Sequence, residues 1–227
     1  MDKKEKQFGG TIRFKELMLE LTQNLSSLTD LVIKMIENGI VALLEDNEEL
    51  FKELQQNLAK VHDYYNTLDN SVVNSIALHH PFASDLRYIL SSLKIGNEIH
   101  RCAHDAVHIA HSSEFVDRNN KMFNGTIDRI GDLANLALKM FKESTTAFLQ
   151  RKALDLKDWT KLDDEVDTLH DEIINEIGGK MEKKKDWIRA GVSLILATRY
   201  IERIADHSCN IVEESSYVVT SKRGKIK

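Results

Sequence analysis

Apolar residues recur every three or four positions along almost the whole chain, and polar and charged residues stand between them. This spacing is typical of amphipathic helices, because one helical turn takes 3.6 residues. No run of alternating apolar and polar residues is long enough to predict a strand. The pattern therefore predicts an all-α protein, with helices over residues 12–43, 47–78, 82–112, 116–150, 157–181 and 185–219.

The predicted helices are separated by short polar breaks at Asp46-Asn47, His80-Pro81 and Lys183-Lys184. Proline disfavours a helical conformation of the residue before it, and asparagine and aspartate favour helix caps over helix interiors. A helix of about 30 residues is roughly 45 Å long. The pattern thus predicts elongated bundles.

The chain contains an internal repeat of three segments. Residues 28–36 align with 133–141, residues 60–76 with 161–177, and residues 100–110 with 202–212, in the same order in each half. One unit is therefore used twice, and we expect two packed halves of three helices each. The predicted organisation is an N-terminal tail at 1–10, a first half at 11–113, a second half at 114–219 and a basic tail at 220–227.

Composition narrows the class of protein further. A net charge of −5 offers no basic surface for nucleic acid. Apolar runs never reach the roughly 18 residues that a membrane-spanning helix needs, and the first ten residues lack the apolar core of a signal peptide. We therefore expect a soluble cytoplasmic protein. Cys102 and Cys209 are interpreted as buried structural residues.

Acidic residues form a stripe along two helices of the second half. On a helical wheel Glu202, Asp206 and Glu213 fall on one edge of the sixth helix, and Asp163 and Asp167 fall on the matching edge of the fifth. Carboxylates held this close repel one another unless a cation or protons compensate. A hard ion such as Mg²⁺, Mn²⁺, Ca²⁺ or iron is one interpretation; a solvated acidic face is the other.

Histidines replace those acids in the first half. The aligned stripe on the third helix carries His100, His104, His108 and His111, and His62 lies on the second helix next to Asp63. Imidazoles suit Zn²⁺, Ni²⁺, Co²⁺ or Fe²⁺ better than Mg²⁺. The candidate ligands are His62, His100 and His104, with Asp63 and His108 as possible additions. A pH-sensitive patch and a lost metal site remain alternatives.

Three sequence elements resemble the PhoU family of bacterial phosphate regulators. They are Glu202-Arg203 with Asp206, Asp163-Asp164 with Asp167, and the run Pro81, Ala83, Asp85, Leu86 and Arg87. The resemblance covers residues 11–219.

The resemblance implies two three-helix bundles related by a pseudo-twofold axis, with metal clusters on their acidic stripes. It also implies a non-catalytic, cytoplasmic and dimeric protein at the membrane periphery, which damps phosphate-starvation signalling through the ATPase of a phosphate ABC transporter and a sensor histidine kinase. By position, the metal ligands of the second bundle are Asp163, Asp164, Asp167, Glu202 and Asp206, for Fe, Mn or Mg.

The first bundle departs from the family pattern. His100 and His104 stand where glutamate and aspartate are expected, His62 and Asn66 replace two further acids, and Asp63 keeps its acid. The first half is thus expected to bind Zn, Ni or Fe, if it holds an ion at all.

Two other functions compete with this interpretation. A ferritin-like di-iron enzyme builds similar sites between helices, but it uses two Glu-x-x-His elements, which are absent here. A protein whose stripes dock a partner rather than a metal is the second alternative.

Overall fold

The protein is all-α in a computed structural model, which describes residues 11–45, 47–116 and 121–226. The predicted N-terminal tail and part of the link between the halves lie outside the described residues. The six helices are α1 (Ile12–Glu45), α2 (Glu48–His79), α3 (Ala83–His111), α4 (Asn124–Leu149), α5 (Leu156–Met181) and α6 (Ile188–Thr220). No strand occurs in the described part, so the predicted fold class is confirmed.

The helices form two three-helix bundles that lie side by side. Helices α1, α2 and α3 pack pairwise in the first bundle, and α4, α5 and α6 do so in the second. The bundles meet where α3 packs against α6 and α1 against α4. Buried side chains of both bundles join in one continuous core. The double-bundle prediction is confirmed.

Helix boundaries follow the local chemistry at two of the predicted breaks. The Asn47 side chain caps α2 by accepting hydrogen bonds from the backbone N–H groups of Glu49 and Leu50, at 3.1 and 3.2 Å. His80 ends α2 with a left-handed backbone, φ 45°, immediately before Pro81.

The predicted start of the fourth helix at residue 116 is wrong, because α4 begins at Asn124. Short 3₁₀ turns occupy Ser112–Phe115 and Lys121–Phe123, and Val116 between them is extended. Val116 and Phe123 are nevertheless buried. The seven-residue spacing of these two apolar residues matches two turns of an α-helix, but both residues lie outside the α-helices.

Helices α3 and α6 run antiparallel where the bundles meet. Asp105 pairs with Arg203 at 3.4 Å, and Lys94 near the start of α3 pairs with Glu214 near the end of α6 at 2.9 Å. Each bundle therefore presents the same helix to the other, as a pseudo-twofold arrangement requires. None of the helices within the described ranges has the length and apolar content needed to traverse a bilayer.

Candidate metal sites

Three histidines of the first bundle converge between α2 and α3. His62 projects from α2, and His100 and His104 project from successive turns of α3. One ring nitrogen from each lies within 4.8 Å of the other two, and His100 Nε2 is 2.9 Å from His62 Nδ1. Among the described residues this triad is the one set of three metal-binding side chains that comes this close together.

The surroundings of His100 and His104 favour neutral imidazole rings. Burial, followed by the neighbouring His104 and His62 rings, lowers the pKa of His100 to about 4. Burial and the His62 ring likewise lower the pKa of His104. Near pH 7 both rings therefore lack the extra proton, and the neutral ring is the form that binds a metal.

The donor set fits an ion of intermediate softness. Zinc binds imidazole nitrogen at about 2.0–2.1 Å in a tetrahedron, which places two ligand nitrogens roughly 3.4 Å apart. The His62–His100 nitrogen separation of 2.9 Å is close to this value. One of these two rings donates a hydrogen bond to the other, so an ion would take the place of that proton.

The other predicted ligands of the first half lie beside the triad. Asp63 is exposed on α2. The His108 ring stacks on Tyr200 of the second bundle, with centroids 4.7 Å apart, and the His111 ring stacks on Phe51 at 5.4 Å. Two of the four histidines of the α3 stripe are thus engaged in packing against aromatic rings.

The acids of the second half line the facing edges of α5 and α6. Asp163 and Glu202 are buried, Asp167 and Asp206 are half-buried, and Asp164 is exposed. The Cys209 thiol donates a hydrogen bond to Asp163 Oδ1 at 3.5 Å. At this position the second half has a carboxylate that accepts a hydrogen bond from a thiol, whereas the first half has imidazole rings.

The pKa of Glu202 is raised by burial and by repulsion from the neighbouring acids of this stripe. Burial and the charges of Asp206 and Asp167 outweigh the attraction of Arg199 and raise the pKa of Glu202 to about 7. Glu202 Oε1 accepts a hydrogen bond from Arg199, whereas the buried Oε2 has no hydrogen-bond partner. A buried carboxylate oxygen in this state favours binding of a proton or a cation.

A cavity of about 290 Å³ lies next to the acidic stripe. It is lined by Asp163, Asp206, Cys209, Asn210, Glu213, Lys225 and Ile226. The last two residues belong to the basic tail, for which the sequence predicts no site. The apolar Ile226 among basic neighbours was the available signal for its packing.

A buried ionic network connects the two bundles between the candidate sites. His207 Nδ1 lies 2.6 Å from Glu98 Oε2, and His207 Nε2 lies 3.5 Å from Asp105 Oδ2. Burial alone lowers the pKa of His207, but the Asp105 and Glu98 carboxylates outweigh burial and raise it. Sequence reasoning missed this network, although Asp105 and His207 align in the repeat.

Comparison with known proteins covers both halves. The PhoU domain model matches residues 25–113 and again residues 130–215. The phosphate-specific transport system accessory protein PhoU homolog of Clostridium acetobutylicum is 26% identical over 211 residues, which span 92% of this chain and 95% of that protein.

Solved structures share the double-bundle fold. PhoU from Pseudomonas aeruginosa superposes with a TM-score of 0.84 at 24% identity, over 92% of this chain and 100% of that one. The phosphate transport system regulatory protein PhoU from Streptococcus pneumoniae gives the same TM-score at 21% identity, over 93% and 99%. With one domain match in each half and full-length relatives, this chain belongs to the PhoU domain family.

Proposed function

We propose that this protein is a non-enzymatic accessory regulator of phosphate uptake. The observation that carries the proposal is the PhoU domain match in both halves, together with full-length relatives named as phosphate-specific transport accessory proteins. The expected role is to damp phosphate-starvation signalling when phosphate is abundant. The expected partners are the ATPase of a phosphate ABC transporter and a sensor histidine kinase, met by a homodimer at the cytoplasmic face of the membrane.

Deletion of the gene in the source organism tests this role. A phosphate-starvation reporter should become active at high phosphate in the deletion strain, and the intact gene should restore repression. Normal repression in the deletion strain would contradict the regulatory role. It would favour the alternative of a helical metal-binding or docking protein that has no part in phosphate control.

Association with the transporter can be tested separately. Purified protein should bind the detergent-solubilised phosphate transporter of the same organism, and should not bind an unrelated ABC transporter. Equal retention by both transporters would contradict the assignment of partners.

We further propose that each half binds metal and that the halves select different ions. In the first half, His62, His100 and His104 would hold Zn, Ni or Fe, because three converging imidazoles suit these ions. In the second half, Asp163, Asp164, Asp167, Glu202 and Asp206 would hold Fe, Mn or Mg, because these ions prefer carboxylate oxygen. A bound ion would add positive charge to the acidic stripe and relieve the repulsion between its carboxylates.

Calorimetric titration of protein purified without a histidine tag tests both sites. His100→Ala combined with His104→Ala should abolish Zn²⁺ binding to the first half and leave Mn²⁺ binding unchanged. Asp163→Ala combined with Asp167→Ala should have the opposite effect. His80→Ala is a suitable control, since this exposed histidine lies outside the triad. Equal loss of one metal in both double variants would contradict two separate sites.

A further inference from the structure

The C-terminal strap, residues 221–226, folds back over α5 and α6. Ser221 turns the chain with a left-handed backbone, φ 61°. The Ile226 N–H then donates to Glu213 Oε1 at 2.8 Å, and the Thr160 hydroxyl donates to the Ile226 carbonyl at 3.1 Å. The Ile226 side chain is 6% exposed and belongs to the continuous core. The strap is thus a packed element with an apolar anchor.

Two more contacts hold the middle of the strap in place. Arg223 donates to Glu214 Oε1 at 2.9 Å, and its guanidinium lies 4.1 Å from the centre of the Tyr217 ring. Gly224 packs so closely that an added Cβ would lie 2.4 Å from Leu156 Cδ1. These contacts set the path of the strap across the edge of the acidic stripe.

The strap forms one wall of the cavity next to the acidic stripe. The exposed Lys225 and the buried Ile226 line this space of about 290 Å³ together with Asp163 and Asp206. The lining therefore combines acidic residues of α5 and α6 with a lysine and an isoleucine of the strap. The equivalent site in the first half, the histidine triad, is not part of this cavity.

One buried carboxylate oxygen of the stripe, Glu202 Oε2, has no hydrogen-bond partner. Glu202 is 7% exposed, and its Oε2 is buried without a hydrogen-bond partner one helical turn from Asp206. An anionic group in that position favours a positive charge close by. A divalent cation on the stripe can supply that charge.

We propose that the C-terminal strap is a lid on the acidic site of the second half, and that the strap and a divalent cation compete for the same cavity. The inference rests on the second-half metal site of the proposed function. A cation entering the closed cavity would meet the like charge of Lys225, and Ile226 would obstruct its path. Opening the strap therefore favours cation binding, and cation binding favours the open strap by the same factor.

Two variants of the strap and one control test the coupling. Ile226→Ser removes the apolar anchor without changing charge, and Lys225→Gln removes the ammonium group without removing the anchor. Lys222→Gln removes one charge from the same segment at an exposed position outside the cavity lining. Circular dichroism verifies that each variant keeps the helical content of the unchanged protein.

Two measurements report on the strap. The rate of Cys209 alkylation by a maleimide follows opening, since Cys209 lines the cavity, and the fully buried Cys102 is an internal reference. The dissociation constant of Mn²⁺ reports on the competition between the strap and the cation. Ile226→Ser should accelerate Cys209 alkylation and lower the Mn²⁺ dissociation constant by roughly five- to tenfold. Lys225→Gln should lower the dissociation constant, and Lys222→Gln should leave both quantities unchanged.

The outcomes separate the lid from the site beneath it. If Mn²⁺ binds all forms with one dissociation constant, the acidic site stands and the lid is overturned. An unchanged rate of Cys209 alkylation in Ile226→Ser also overturns the lid. Ile226→Ser with accelerated alkylation but without Mn²⁺ binding, together with no Mn²⁺ binding to the other forms, overturns the second-half metal site. The proposed competition between strap and cation is then overturned as well.

Discussion

His207 and Asp105 occupy equivalent positions of the repeat and meet between the two bundles. Both side chains are at least nine-tenths buried, and Glu98 and Arg203 complete the network. Buried charges of this kind are tolerated because each has an opposite charge close by. Removing His207 leaves the buried Asp105 with one cationic partner, Arg203, instead of two.

His207→Ala is therefore expected to lower the free energy of unfolding by about 3 kcal/mol. The loss should be smaller when Asp105→Asn accompanies it, because the second change removes a buried carboxylate that has lost one of its two cationic partners. Urea denaturation of the four proteins of the double-mutant cycle measures both effects. Strictly additive losses would show that the two side chains do not interact.

Glu176 makes stability depend on pH in the acid range. Hydrogen bonds from Lys180, Thr126 and Arg129 lower the pKa of Glu176 from 4.5 to about 2, against the effect of burial. A carboxyl whose pKa is lower in the folded protein stabilises it above the unfolded pKa. That contribution is lost as the pH falls from about 4.5 towards 2.

Glu176→Gln should lower the free energy of unfolding by about 1 kcal/mol at pH 7. The difference from the unchanged protein should shrink as the pH is lowered to 2. Denaturation curves at several pH values measure this, with Glu165→Gln at an exposed position as a control. A difference that stays constant down to pH 2 would contradict the assigned role of the Glu176 carboxylate.

At the level of the helices, two equivalent contacts between α3 and α6 are made by different residue types. The amide of Asn210 on α6 donates to Glu98 on α3, and at the equivalent place Tyr200 on α6 stacks on His108 of α3. The repeat therefore preserves the positions at which α3 and α6 touch while the residue types change. Close helix packing is the part of the arrangement that both halves must keep.

Gly39 shows how close this packing is within the first bundle. A Cβ added at Gly39 on α1 would lie 2.6 Å from the backbone oxygen of Ala106 on α3. Gly39→Ala should therefore push the helices apart and lower the free energy of unfolding by about 2 kcal/mol. Gly125→Ala is the matched control, since a Cβ there has no neighbour within 4 Å. Equal thermal stability of both variants would contradict this close contact.

For the molecule as a whole, metal binding should couple to stability through the triad that joins α2 and α3. Zinc at 100 times its dissociation constant would stabilise the folded state by about 2.7 kcal/mol. For a chain of this size the melting temperature should rise by about 5 to 10 °C. Scanning calorimetry measures this, and His100→Ala with His104→Ala should abolish the rise. If added zinc and a chelator both leave the melting temperature of the unchanged protein as it is, no metal-linked stabilisation exists.

Local and repeated features could be derived from the sequence alone. Apolar spacing predicted six helices, because one face of each must be buried, and Asn47 and His80-Pro81 predicted where α2 begins and ends. The repeat alignment brought His62, His100 and His104 into one hypothesis, which the convergence of their rings now supports on geometric grounds. The start of α4 was mispredicted, since Val116 and Phe123 are buried from non-helical positions.

Long-range contacts were decided only by the tertiary structure. Helical periodicity places a histidine on a face, but it does not say whether that side chain converges with two other histidines, as His100 does, or packs on an aromatic ring, as His108 does on Tyr200. Nor does it bring Asp105 to His207, or carry Ile226 back to α5 and α6. The sequence by itself determined the helices and the duplication, because these depend on neighbouring residues and on similarity along the chain. The packing of distant segments determined which polar side chains face one another.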